Sequence, residues 1–139
     1  MKKILALCLF FSFLNCKQAD ASFEEAPKTA EELKMELKMQ EQNAPNEYLK
    51  AEGNYRENFW GNKLKVDCVI KNTATLATFK DAVLKISYYS KTKTEIANKE
   101  MTLYEMFPPN SSKTIELKID NYDDVNSIGW KIINATAIE

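Results

Sequence analysis

Three cysteines and no histidine set the limits on the chemistry open to this chain of 139 residues. A reactive cysteine needs a base or a cationic pocket, and a cysteine metal site needs further ligands at short spacing. Cys8, Cys16 and Cys68 stand far apart, no Cys-x-x-Cys occurs, and the commonest general base and metal ligand is missing. Cys68 shares alternate positions with Leu64, Val66 and Ile70, so it reads as an inert core thiol. The carboxylates offer little more. Asp120, Asp123 and Asp124 cluster, but a calcium loop needs about six to eight oxygens at fixed spacing. The Asp-x-Asp-x-Asp-Gly pattern is absent, and a solvated turn is the simpler reading. Glu24/Glu25 and Glu31/Glu32 are adjacent, whereas a glycosidase pair must face across a cleft. Asn110-Ser111-Ser112 and Asn134-Ala135-Thr136 match the N-glycosylation triplet only as short strings. The sequence therefore predicts no catalytic residue, no metal, no cofactor and no small-molecule substrate.

Cys16 is the exception, because its context gives it a chemistry. Lys2 and Lys3 precede a largely apolar run from Ile4 to Leu14, and Cys16 is followed at once by Lys17-Gln18-Ala19-Asp20. A membrane-spanning helix needs about 20 apolar residues, so the run fits a cleaved secretory signal. Phe13-Leu14-Asn15-Cys16 resembles the lipobox of bacterial lipoproteins, in the looser form of Bacteroidetes. The resemblance implies a signal peptide over 1–15 and a lipid on Cys16. It also implies a cell-envelope protein held in the outer membrane, with the membrane face left open. Two acyl chains, at about 0.8 kcal/mol per buried CH₂, would hold it firmly. Asp20, Glu24, Glu25 and Pro27 make residues 16–28 a flexible tether, and scattered acids after such a cysteine resemble a surface-export signal.

The elements that follow are short. Over 29–44, Thr29 and Glu32 form a capping-box pattern, and Ala30, Leu33, Leu37 and Ala44 fall on one stripe. Met35 and Met39 lie opposite, and Pro45 is expected to end the helix. A helix this short must pack on the domain, self-associate or fray. Period-2 alternation dominates residues 48–139. Leu64, Val66, Cys68 and Ile70 form one inward row; Ala82, Leu84, Ile86 and Tyr88 form another; Ile115, Leu117 and Ile119 form a third. Lys85 and Ser87 are expected to point outward, and Lys91–Thr94 to close a turn. A strand is expected over about 95–103, a connection over 107–112 and a polar turn over 121–126. The last strand, 128–138, has no single phase. Six or seven strands within so short a span predict a mainly β fold: an Ig-like antiparallel β-sandwich preceded by a short helix.

The chain holds 19 Lys+Arg and 20 Asp+Glu, and loss of Lys2 and Lys3 with the signal leaves 17 against 20. That balance, without a basic run, excludes a nucleic-acid partner.

Val66-Asp67-Cys68-Val69-Ile70-Lys71-Asn72-Thr73 resembles the strand and Lys-Asn-Thr opening of FxLYD-type domains. Lys80–Ser90 resembles their central strand, and Pro109-Asn110-Ser111-Ser112 their Pro-Gly turn. Lys93 stands where that family has a turn glycine. The resemblance implies an Ig-like sandwich without catalysis. Phe59-Trp60, beside Gly61, is the one aromatic pair in an expected turn; it either covers the core or contacts a partner. The functional expectation is a non-catalytic binding module held at the membrane through Cys16, with an envelope protein as partner. A structural accessory without a ligand is the alternative, and an enzyme without recognisable motifs is a third.

Overall fold

The computed structural model describes residues 27–57 and 61–139. The proposed lipid site Cys16 and the Phe59-Trp60 pair lie outside these residues. A helix α1 (Ala30–Asn43) and a one-turn helix α2 (Pro45–Tyr48) precede six strands. These are β1 (Leu49–Glu57), β2 (Lys63–Asn72), β3 (Thr78–Tyr89), β4 (Glu95–Phe107), β5 (Ser111–Asp120) and β6 (Ser127–Ile138). They form two antiparallel three-stranded sheets, ordered β1-β2-β5 and β4-β3-β6. The mainly β, antiparallel sandwich with a short N-terminal helix is thus the fold this chain adopts.

The expected inward rows build its core. Leu64, Val66, Cys68 and Ile70 are buried on β2 and face Ala82, Leu84, Ile86 and Tyr88 on β3. On β5, Ile119 is buried, while Ile115 and Leu117 are half-buried at the sheet edge and still pack on the core. Burial of this kind contributes about 25 cal/mol per Å² of apolar surface, the largest favourable term a fold this size has.

The indistinct phase of β6 has a physical cause. Trp130 and Ile132 face inward, then an extra residue at Ile133 interrupts the pairing between Leu84↔Ile132 and Val83↔Asn134. This bulge shifts the inward set to Ala135 and Ala137 and leaves Ile133 exposed. A second irregularity sits at Asp81, whose φ is 51°.

The edges close by different means. On one side Asp120 of β5 pairs with Lys63 and, at 3.6 Å, with Lys99 of β4, while Lys113 of β5 pairs with Glu105 of β4. On the other side Gly53 of β1 lets the indole of Trp130 on β6 lie against the backbone. A Cβ at Gly53 would stand 2.6 Å from Trp130 Cε2.

Several boundaries differ from expectation. β4 runs on to a buried Phe107, and β5 begins at Ser111, so the connection shrinks to Pro108-Pro109-Asn110. Asn110 takes φ 51° after a proline, and Lys93 takes φ 61° in the β3–β4 turn. Both occupy left-handed positions where glycine is the unstrained choice. Ser87 projects away from the inward row but is 7% exposed, covered on the outer face. Pro45 ends α1 as expected, yet it also opens α2 at a first-turn position, where its missing N–H has no consequence.

Candidate functional site

The N-terminal helix is held by a carboxylate. Its capping box forms as the sequence predicts: Thr29 Oγ1 accepts from Glu32 N–H at 3.2 Å, and Thr29 N–H donates to Glu32 Oε2 at 2.7 Å. The expected apolar stripe, however, does not bury. Leu33, Leu37, Met35 and Met39 are all exposed, and the one buried residue of the helix is Glu41, at 1%. Glu41 lies one turn beyond Leu37 and projects into the β2–β3 connection. Its Oε1 accepts from Thr75 N–H at 2.7 Å and Thr75 Oγ1 at 2.8 Å. Its Oε2 accepts from Leu76 N–H and Ala77 N–H, both at 2.8 Å. Burial pushes the carboxyl up, but the bonds from Thr75, Leu76 and Ala77 outweigh it and hold the group below the usual carboxylate range. Gln42 adds a bond from Nε2 to the Ile138 carbonyl at 3.1 Å.

Asn72 completes this junction from inside. It is fully buried, and its Nδ2 donates to the carbonyls of Ala77, Phe107 and Pro108 at 2.9–3.0 Å. Its Oδ1 accepts from Ala74 N–H at 2.9 Å. Thr73 N–H donates to Tyr48 O, also at 2.9 Å. Every backbone N–H from Thr73 to Ala77 therefore has a partner, which a buried crossing between two sheets requires. Asn72 falls within the Lys-Asn-Thr string singled out in the sequence, which thereby acquires a mechanical meaning. Glu41 is the residue sequence reasoning missed. The available signal was an acid in the last helical turn, against the helix dipole and without a basic neighbour in that turn.

At the opposite end of the sandwich, Tyr88 packs edge-on against Tyr122, with ring centroids 4.7 Å apart. The Tyr88 hydroxyl is buried and has no hydrogen-bond partner among the described residues. Burial, with Tyr122 and the Asp120 carboxylate nearby, pushes its pKa up to about 12. Cys68 is buried, and desolvation raises its thiol to about 11, as expected of an unreactive core residue. Asp120 is held low by its Lys63 hydrogen bond and by the charges of Lys63 and Lys99; it is an ion-pair member rather than a loop ligand. No group of three or more metal-ligating side chains occurs among the described residues.

The outer face of the β1-β2-β5 sheet carries a third feature. Register places Arg56 opposite Lys65, and Lys65 opposite Lys118. Three cations thus stand in one row across three strands. The next outward row is Asn54, Asp67 and Glu116. Arg56, Lys65, Asp67, Glu116 and Lys118 line a groove of about 530 Å³. Among the described residues, no ion pair involves any of the three cations.

Compared with known families, curated proteins and solved structures, the chain finds no match.

Proposed function

We propose that this chain is a lipid-anchored protein of the bacterial envelope whose FxLYD-type sandwich is a non-catalytic binding module. The signal run and Cys16 supply the anchor. The observation that carries the reading is the Glu41 latch. It pins the helix that follows the tether onto one end of the sandwich, so a chain anchored at Cys16 enters the domain at a fixed place and angle. A fixed entry keeps the tether at one end of the sandwich and leaves the sheet faces away from that end open to a partner, an arrangement suited to recognition. Loops and faces on a rigid scaffold are where such modules bind.

The experiment has two arms. Palmitate labelling and membrane fractionation of the full chain should lose label and membrane association in Cys16→Ala; retention of either overturns the anchor. Photo-cross-linking residues placed at position 60 and, separately, at 65 in intact envelopes should give discrete adducts. Absence of adducts from both positions overturns the binding module in favour of a structural accessory.

A further inference from the structure

We propose that the outer face of the β1-β2-β5 sheet binds a second copy of this chain, face to face and antiparallel. This deepens the binding-module reading, on which it rests, by naming the partner of one open face. The face is sorted by sign. Arg56, Lys65 and Lys118 form one row across the three strands, and Asn54, Asp67 and Glu116 form the next. Like charges directly opposite on neighbouring strands destabilise a sheet. Three such juxtapositions occur here: Arg56–Lys65, Lys65–Lys118 and Asp67–Glu116. Within one copy the two rows do not neutralise each other. Among the described residues, no ion pair involves any of these five charged side chains. Sorted rows also project their field further than a checkerboard, whose signs cancel between neighbours. The pattern therefore orients an approaching face before contact.

Both signs on one face select the partner. A polyanion meets repulsion at the acidic row, and a polycation meets it at the basic one. A face with both rows at the same spacing matches this one, and a second copy supplies it. A two-fold axis lying along the rows and midway between them sets each cationic row on the other copy's acidic row. Lys65 then meets the second copy's Asp67, Lys118 meets its Glu116 and Arg56 its Asn54, each contact being made twice by symmetry. A two-fold along the strands would set cation on cation and acid on acid, which excludes that mode. The antiparallel mode lays the Asn72 end of β2 beside the Lys63 end of the second copy's β2. The groove of about 530 Å³, lined by both rows, leaves room for the stems of the second copy's Lys65 and Lys118. Three strands about 4.8 Å apart and about 30 Å long make a face of about 400 Å² per copy. Stable complexes bury about 1,200 Å² in total or more, so this contact is weak in solution and sensitive to salt. Anchoring on a membrane supplies the local concentration that such a contact needs.

The test uses residues 17–139, which include every described residue, in sedimentation equilibrium up to millimolar protein at low and at high salt. The mean mass should rise with concentration from one copy toward two at low salt, and stay at one copy at high salt. Lys65→Asp and Asp67→Lys lie on the outer face, so circular dichroism should show an intact fold in both. Each should weaken self-association at least tenfold, because each sets like charges across the two-fold. An equimolar mixture of the two variants should associate as the parent does, since residue 65 of each copy then meets the opposite sign at 67 of the other. Carbodiimide coupling of unlabelled with isotope-labelled parent chain should join Lys65 to Asp67, and Lys118 to Glu116, between copies. Four results overturn the proposal: a single-copy mass at every concentration in low salt, a folded single variant that associates like the parent, a mixture that stays monomeric, or inter-copy coupling only at other carboxylates. None of these alters the palmitate result or the adducts expected from position 60, so failure of this contact and failure of the anchored-module reading are separable.

Discussion

Replacing Glu41 with Gln tests how the N-terminal helix is held. The substitution keeps the volume and removes the charge. Two carboxylate oxygens accept four hydrogen bonds from Thr75, Leu76 and Ala77. Gln keeps one acceptor oxygen and turns an NH₂ toward N–H donors, so two bonds are lost and two donors face a donor. Hydrogen bonds to a charged group contribute about 1.5–3 kcal/mol each, giving a gross loss of about 3–6 kcal/mol. The helix can limit that loss by undocking, because its large apolar side chains are already exposed and water can then reach the loop. The net expectation is about 2–4 kcal/mol. Urea unfolding followed by circular dichroism measures the loss. Hydrogen exchange of the Thr75, Leu76 and Ala77 amides locates it, since these should exchange faster than the core strands. The pH dependence adds a second signature. The folded carboxyl lies below its usual value, so its contribution is complete at neutral pH and disappears as pH falls through the folded value. Glu41→Gln should lack that acid-dependent component. A loss under about 0.5 kcal/mol, the range of an ordinary surface change, with those amides still protected would refute the latch.

Leu84→Ala should cost about 2–5 kcal/mol in denaturant unfolding, as a fully buried leucine does; a loss under about 1 kcal/mol would contradict its place in the core. Asn72→Ala should cost about 3 kcal/mol or more, since it strands three carbonyls and one N–H at the sheet crossing, and a near-neutral result would mean water replaces it freely. Lys93→Gly should raise stability by about 0.5–1 kcal/mol by relieving a left-handed lysine, which a melting curve will detect as an upward shift. With Cys8 and Cys16 absent, the folded protein should resist a thiol reagent at neutral pH and react at Cys68 only on denaturation, because the thiol is buried and its pKa stands near 11; prompt labelling of the native state would show an open core.

The sheets were legible residue by residue because a half-buried strand writes its burial into a period of two. Leu64, Val66, Cys68 and Ile70, like Ala82, Leu84, Ile86 and Tyr88, declare their face without help from any other part of the chain. The capping box at Thr29 is equally local. What the sequence hid is what depends on distant partners. β6 lost its period because the bulge at Ile133 is set by pairing with β3 some fifty residues earlier. The helix stripe misled because amphipathicity marks which residues prefer burial, not whether a surface is there to receive them. Leu33 and Leu37 meet solvent, while Glu41, polar and set against the dipole, is buried because three amides more than thirty residues away converge on it. The Arg56–Lys65–Lys118 row is likewise invisible in a linear reading, where each lysine has acidic or neutral neighbours. Side-chain period is a property of the backbone's own geometry and survives in the sequence; register, crossing loops and charge rows exist only once strands from separate parts of the chain lie side by side.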